Sequence, residues 1–167
     1  METDWMGRYR PLVAALVLHT NITNRGSNER MDVGKGVLLT TQEWQTLECI
    51  VEHEESYFSM IEIARRLGIP QSSFSRTVKT LYGQKLIEKY QVEGNRKNVI
   101  LRPSEFGREI YINRVEDDTR EMFISFFRDL DSISDKDLET FTSALNRFSR
   151  SLPSAKDSQE VKLRKID

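Results

Sequence analysis

Apolar residues recur every three or four positions in several stretches of the chain, with polar segments between them. This spacing puts them on one face of an α-helix and predicts a mainly helical protein. The first helix is predicted to start near Arg10–Pro11, because proline is tolerated in a first helical turn. Residues 25–36 contain three glycines and predict a loop. The apolar face of the first helix comprises Trp5, Tyr9, Leu12, Val13, Leu16, Val17 and Thr20.

Two capping boxes mark the next helices. Thr40-x-x-Glu43 and Ser59-x-x-Glu62 each place a hydroxyl three residues before a glutamate, so that side chain and backbone can cap each other. Gly68 is expected to end the second of these helices. The predicted buried face of the helix that follows Thr40 is Trp44, Leu47 and Val51. That of the helix that follows Ser59 is Ile61, Ile63, Ala64 and Leu67.

A short turn, Gly68-Ile69-Pro70, leads into another helix that starts at Gln71. Two short helices joined in this way are typical of a helix-turn-helix, which places its second helix in the DNA major groove. The alternative is a solvated helix face on a module that binds only protein. In the second helix Phe74, Val78 and Leu81 point one way, and Ser72, Ser75, Arg76 and Lys79 point the other.

The exposed positions of this second helix have predicted roles in DNA binding. Arg76 is expected to make a bidentate contact with guanine, and Lys79 to meet the DNA backbone. The serines are short enough to contact base edges or phosphate, and the free N–H groups at the helix start suit phosphate. The predicted contacts are Gln71, Ser72, Ser73, Ser75, Arg76 and Lys79.

A β-hairpin is predicted after this helix. Residues 86–91 and 98–102 are the predicted strands, and residues 93–97 form the polar turn between them. A hairpin in this position is the wing of a winged helix. Arg96 and Lys97 at its tip are predicted to meet the adjacent minor groove, which attracts arginine where it is narrow. The alternative is a solvated turn.

The C-terminal third returns to helical spacing. Ser104 can cap a long helix whose apolar face extends from Phe106 to Leu130. Ser134-x-x-Asp137 opens a last helix whose apolar residues follow the spacing of a coiled-coil seam. The polar tail, residues 153–167, is expected to be weakly ordered. The seam comprises Leu138, Phe141, Leu145, Phe148 and Leu152.

The net charge of −1 hides a strong segregation along the chain. Residues 59–102 hold nine basic and three acidic side chains, net +6, whereas the segments before and after are net −4 and −3. Neutralisation of phosphates supplies most non-specific affinity for DNA, so the local charge matters more than the total. The positive block coincides with the predicted helix-turn-helix and wing.

Other functions lack their usual motifs. The chain has no nucleophile elbow, phosphate loop, HExxH or CxxC, so no enzyme, cofactor or metal site is expected. No apolar run approaches the ~20 residues of a membrane span, and the N-terminus lacks the features of a signal peptide. These absences predict a cytoplasmic protein. The acidic neighbours of the single cysteine, Cys49, disfavour its thiolate and favour a packing role over the alternative of an oxidant sensor.

The order of elements resembles the multiple antibiotic resistance regulator (MarR) family of bacterial transcription factors, over about residues 10–150. The helices on both sides of the winged helix give this resemblance its specificity. Gly94 stands where the family's wing usually has aspartate, which shifts the expected specificity onto the second helix of the motif. The matching segments are residues 39–42, 63–69, 72–76 and 93–96, with Val99, Leu101 and Gly107.

The resemblance implies a symmetric homodimer whose N- and C-terminal helices interlock, with two winged lobes on a palindrome. The apolar surface of these helices, which exceeds what one small lobe can cover, favours the same assembly. It also implies a small-molecule pocket between the dimer helices and the lobe. The predicted interface is Leu12, Leu16, Phe141, Leu145 and Phe148, and the predicted pocket is His19, Trp44, Tyr111 and Arg114, where core packing is the alternative for Trp44.

The sequence therefore predicts a mainly α winged helix-turn-helix protein that binds double-stranded operator DNA as a homodimeric repressor and is released by a small molecule or an oxidant. The competing hypothesis is a winged-helix adaptor that binds protein and not DNA. The predicted parts are an N-terminal dimerisation helix and loop (1–38), the DNA-binding lobe (39–103), C-terminal dimerisation helices (104–152) and a polar tail (153–167).

Overall fold

The computed structural model describes residues 5–92, 95–115 and 120–152, with the side chains of these except residues 92–98 and Met122. It is mainly helical with a small wing, as predicted. The polar tail lies outside the described residues. The elements are α1 (Arg10–Gly26), β1 (Met31–Asp32), β2 (Leu38–Leu39), α2 (Thr41–Glu52), α3 (Met60–Leu67), α4 (Gln71–Gly83), β3 (Ile87–Val92), β4 (Asn95–Pro103), α5 (Glu105–Arg114), α6 (Arg120–Leu130) and α7 (Asp135–Ser151), with 3₁₀ turns at Gly7–Tyr9 and Glu54–Ser56.

Both predicted capping boxes are present. Thr40 Oγ1 accepts a hydrogen bond from the N–H of Glu43 (3.3 Å), and the Glu43 carboxylate accepts one from the N–H of Thr40 (2.9 Å). At the start of α3, Ser59 Oγ accepts a hydrogen bond from the N–H of Glu62 (3.3 Å), and the Glu62 carboxylate accepts one from the N–H of Ser59 (2.8 Å). Each box satisfies N–H groups that a helix start otherwise leaves unpaired, so these pairs set where α2 and α3 begin.

The core lies between α2, α3, α4 and the wing. Ala64 is 1% exposed, and Phe74 is completely buried. Gly68 ends α3 in the left-handed conformation (φ 65°), which glycine adopts without strain, and α4 then crosses α3. The Gln42 amide of α2 donates a 2.8 Å hydrogen bond to the buried Thr77 hydroxyl of α4. The largest fully buried side chains include Leu39, Leu47, Leu81, Leu86, Ile87, Ile110 and Val78.

The predicted loop at residues 25–36 was wrong in part, because this segment contains the end of α1 and the first strand and turn of a small hairpin. Strands β1 and β2 pair antiparallel, with Met31 opposite Leu39. Gly34, Lys35 and Gly36 all have positive φ, and the Asp32 carboxylate accepts a 2.8 Å hydrogen bond from the N–H of Gly34. This tight turn brings the strands together. Two-residue strands are too short to show an alternating pattern.

The wing is longer than predicted. Strand β3 continues to Val92, and β4 begins at Asn95, inside the predicted turn. Gln91 pairs with Val99 whereas Val92 pairs with Asn95, so the ladder contains a β-bulge. The extra residues of the bulge explain the error, because strand signals in a sequence end where the pairing becomes irregular.

Two predictions about helices need correction or limitation. Ile61 was predicted on the buried side of α3 but is 62% exposed. At about 100° per residue, Ile61 lies some 120° from Leu67 on the helix, so α3 turns it away from the core. The continuous helix predicted from Ser104 is observed as α5 and α6, and residues 116–119 between them lie outside the described residues.

Gly107 should be intolerant of any side chain. A Cβ at this position would lie 2.0 Å from the backbone oxygen of Leu86, because the first turn of α5 packs directly on that peptide. We expect Gly107→Ala to lower the free energy of unfolding by about 1–3 kcal/mol, as other overpacked cores do. The measurement is urea or thermal unfolding followed by circular dichroism.

Gly83→Ala is the matched control for this substitution. A Cβ at Gly83 meets no atom within 4 Å, and its φ is not positive. This variant should be as stable as the wild type or more stable by up to about 1 kcal/mol. Equal stability of the two variants would contradict the packing argument.

Candidate nucleic-acid interface

The polar stripe predicted on α4 faces solvent. Gln71, Ser72, Ser75, Arg76 and Lys79 are exposed and Ser73 is half-buried. The opposite face, with Phe74, Thr77, Val78 and Leu81, is buried. The apolar face therefore fixes the helix on the lobe and leaves the stripe available to a ligand.

The start of α4 has unsatisfied hydrogen-bond donors. Its N-cap residue is Pro70, which provides no side-chain hydrogen bond. The N–H groups of the first turn therefore point outward beside the hydroxyls of Ser72 and Ser73, and a helix start of this kind attracts anions.

The basic side chains of the stripe are not neutralised by any acid that the structure describes. Neither Arg76 nor Lys79 forms an ion pair with a carboxylate in the part of the chain that the structure describes. Arg76 Nε is 3.4 Å from the carbonyl oxygen of Ser72, so the guanidinium lies back toward the start of the helix. A positive group held there is available to DNA bases or phosphates.

The wing brings further residues to this side of the lobe. Arg96 and Lys97 lie on β4 as its second and third residues, but their side chains are outside the described set, so their role stays a prediction. Sequence reasoning missed Lys89 on β3, whose Nζ is 4.7 Å from the centre of the Tyr82 ring on α4. The available signal was the position of Tyr82, seven residues after Ser75 on the same stripe.

A junction of charged and aromatic groups joins the wing to the helices. The Arg108 guanidinium of α5 binds both carboxylate oxygens of Glu54 (Nε to Oε2 2.9 Å), and this contact lowers the pKa of Glu54. Arg102 of β4 donates to the Glu54 carbonyl and lies 4.4 Å from the centre of the Tyr57 ring. Tyr57 has φ 51°, a conformation that costs energy outside glycine. The junction therefore holds α5, the wing and the turn before α3 together.

The comparisons with known proteins agree with this geometry. The model of the MarR family matches residues 39–97, from the end of β2 to the beginning of β4. Over these residues the winged lobe is similar to the MarR family. No curated protein matches the chain by sequence. Among the described helices, none has the length and apolar character that a membrane span needs.

Solved structures show that the MarR-type fold extends over most of the chain. The transcriptional regulator BldR from Sulfolobus solfataricus aligns with a TM-score of 0.64 at 19% identity, covering 87% of this chain and 99% of that one. FabT from Streptococcus pneumoniae, solved in complex with DNA, aligns at 0.55 and 17%, covering 85% and 95%. PcaV from Streptomyces coelicolor, solved with its natural ligand, aligns at 0.57 and 16%, covering 90% and 98%.

The four residues of the predicted effector pocket are only partly brought together. Trp44 and Tyr111 stack with their ring centres 5.9 Å apart, and Trp44 is 8% exposed, so Trp44 is a core residue. The Tyr111 hydroxyl donates a hydrogen bond to the Glu52 carboxylate (2.9 Å). Burial is the main cause that raises the pKa of Tyr111, and the Glu52 carboxylate adds to the rise. His19 is exposed on α1. Arg114 lines a cleft of about 440 Å³ beside the β1–β2 turn, which none of the other three residues lines.

Cys49 is a buried residue of the MarR-type lobe. Its sulfur lies 4.0 Å from Nδ1 of His53. Burial raises the pKa of the thiol, Glu52 and Glu48 add to the rise, and Arg66 opposes it. A thiol that stays protonated and buried is a poor nucleophile, which favours the packing role. Among the described residues, no His, Cys, Asp and Glu side chains cluster as metal ligands would.

Removing the carboxylate of Glu54 should loosen the junction in a pH-dependent way. We expect Glu54→Gln to lower the midpoint of thermal unfolding at pH 7 by about 2–4 °C, as for an ion pair worth about 1 kcal/mol. Because the pKa of Glu54 is lowered by folding, this stability is present above the unfolded pKa and is lost as the pH falls through the folded pKa. The deficit relative to wild type should therefore shrink toward zero in acid.

Glu55→Gln is the control, since Glu55 is the exposed neighbour. It removes the same charge and should leave the midpoint near that of the wild type at every pH. A deficit for Glu54→Gln that persists unchanged at low pH would argue against the ion pair as its cause.

Proposed function

We propose that this protein is a sequence-specific DNA-binding regulator that acts as a homodimeric repressor on a palindromic operator. The observation that carries the proposal is the exposed stripe of α4. Serines and open N–H groups at the helix start are followed there by cations that have no acidic partner among the described residues. The stripe lies in the segment with a net charge of +6. The family of the winged lobe supports the same function.

The contacts follow from position on the helix. The start of α4 enters the major groove, where Ser72, Ser75 and Gln71 meet base edges or phosphates. Arg76 binds guanine through two N–H groups, and Lys79 binds the backbone. Ser73 and the open N–H groups hold a phosphate. Arg96 and Lys97 of the wing enter the adjacent minor groove.

Two copies are needed to cover the apolar surface of the flanking helices. No residue of α1 or α7 is buried in the single chain. Leu12, Phe141 and Phe148 are 40%, 44% and 56% exposed, and Leu16 and Leu145 are half-buried. Contiguous apolar surface of this kind marks an interface. We place residues 1–38 and 104–152 in dimerisation, residues 39–103 in DNA binding and residues 153–167 in a polar tail.

Repression follows from occupancy of a promoter, and release from a change in the spacing of the two lobes. A small molecule bound between the dimer helices and the lobe would cause that change, near His19, Tyr111 and Arg114. The PcaV structure contains a natural ligand, which supports a ligand-responsive member of this fold. The site of action is the cytoplasm of a bacterial cell, where the operator lies.

Arg76 should determine sequence preference. DNA fragments are first selected with the wild-type protein from a randomised library, and binding of the selected operator and of single-base variants is then measured by fluorescence anisotropy. We expect Arg76→Ala to lose about 1–3 kcal/mol of discrimination at one guanine of each half-site.

Arg76→Lys separates base recognition from charge. Lysine keeps the positive charge but lacks the planar fork that contacts guanine bidentately. This variant should retain most non-specific binding and lose the preference at the same base pair. Wild-type discrimination in both variants would refute the role of Arg76, and the absence of salt-dependent DNA binding by the wild type would favour the protein adaptor.

The chain should sediment as a dimer of twice 19.5 kDa at micromolar concentration. Phe148→Glu puts a charge into the apolar seam. We expect the dissociation constant of the dimer, measured by analytical ultracentrifugation, to rise tenfold or more, because burial of one such side chain contributes about 1.5–3 kcal/mol. Ser143→Glu lies on the side of α7 away from the seam and should stay dimeric. A wild-type monomer at this concentration would refute the interface.

A further inference from the structure

Tyr82 extends the exposed stripe of α4 beyond the residues predicted to bind DNA. Ser75, Lys79 and Tyr82 lie at i, i+4 and i+7, which places them in one row along the helix. Tyr82 is 52% exposed although it is a large aromatic residue. The row therefore carries a hydroxyl, a cation and a phenol ring in succession along the side of the helix that approaches the wing.

Lys89 of the wing reaches over this row. It lies two residues after the buried Ile87 and opposite the buried Leu101, so these residues share the face of the hairpin that packs toward the helices. The side chain is exposed, and its Nζ lies 4.7 Å from the centre of the Tyr82 ring. A cation over an aromatic face is attracted by the ring, which restricts where the ammonium sits.

No acid among the described residues neutralises the ammonium. Within the described residues Lys89 forms no ion pair with a carboxylate. The nearest acid along the strand, Glu88, lies on the other face of the hairpin, where it accepts a hydrogen bond from the Tyr90 hydroxyl. At least two of the three N–H donors of Lys89 are therefore available to another acceptor.

The distance of Tyr82 and Lys89 from the start of α4, measured along the helix axis, fits the edge of the major groove. An α-helix rises about 1.5 Å per residue, so Lys79 lies roughly 10 Å along the axis from Ser72, and Tyr82 some 4–5 Å further. The major groove is about 8.5 Å deep. When the start of α4 reaches the floor of the groove, Lys79, Tyr82 and Lys89 are level with the phosphates that border it.

We propose that Tyr82 and Lys89 form a clamp for a DNA phosphate on the strand that passes between α4 and the wing. Lys89 supplies the charge, the Tyr82 ring holds the ammonium in place, and Lys79 binds a neighbouring phosphate of the same strand. This inference rests on the proposed function and adds a contact between the major-groove helix and the wing tip. The clamp reads no sequence, because it touches only the backbone.

The test is the salt dependence of DNA binding by the full-length protein. Wild type and Lys89→Gln are titrated by fluorescence anisotropy with a selected operator and with a random duplex, from 50 to 300 mM KCl (roughly the range over which counterion release is measured). We expect Lys89→Gln to weaken both complexes by about three- to tenfold near 0.1 M salt and to reduce the slope of log affinity against log salt by about 1. The preference for the operator should not change.

Variants of Tyr82 test the other half of the clamp. Tyr82→Phe keeps the ring and should bind DNA nearly as the wild type does, whereas Tyr82→Leu releases the ammonium and should weaken both complexes about two- to fourfold, as for loss of one exposed cation–π contact. Wild-type affinity of Tyr82→Leu would overturn the role of the ring. Circular dichroism of each variant shows whether it is folded.

Lys136→Gln on α7 is the control for the loss of one exposed positive charge outside residues 39–103, the proposed DNA-binding lobe. It should leave the slope unchanged. If Lys89→Gln has the wild-type slope, Lys89 only attaches the wing to α4 and the clamp is refuted. If instead the wild type itself shows no salt-dependent binding, the proposed function is refuted and the clamp with it.

Discussion

The packing of α4 on the lobe is the constraint on which the rest of the structure depends. Phe74, Val78 and Leu81 are almost completely buried, and the hydrogen bond from Gln42 to Thr77 fixes the same face to α2. Burial of apolar side chains supplies the stabilisation, and each side chain of this size contributes about 1.5–3 kcal/mol. Since a helix has two faces, fixing one of them determines which residues meet an incoming ligand.

The same constraint explains how residues far apart in the sequence come to act together. Once α4 is fixed, the turn at its end directs β3 back along it, and Lys89 meets Tyr82. The wing in turn is tied to the junction at Glu54, which α5 grips through Arg108. Helix α4, the wing and helix α5 are thus attached to one small core.

The predictable parts of this molecule are those that local chemistry determines. A capping box needs only residues three apart, so the starts of α2 and α3 were visible in the sequence. The buried and exposed faces of α4 follow from helical periodicity in the same way. Contacts such as Arg102 with Tyr57 or Lys89 with Tyr82 depend on the register of the wing and on turns with unusual φ, and no local pattern contains that information.

The apolar surface of α1 and α7 is not explained by packing within the single chain. The spacing of their apolar residues predicted both helices, yet neither helix buries a residue within the chain. Ile61 is a different case, because one exposed apolar residue on a short helix is ordinary and needs no partner. The contiguous apolar surface of α1 and α7 is therefore the part on which the proposed dimer rests.

The contact between Gly107 and the Leu86 peptide has a mechanical consequence. With no space even for a methyl group, the first turn of α5 cannot tilt on its own and must carry Leu86 with it. Leu86 directly precedes β3 and is hydrogen-bonded to the end of α4 through Leu81. Any rotation of α5 at this glycine would therefore also shift the start of β3 and the end of α4, because the Leu86 peptide connects all three.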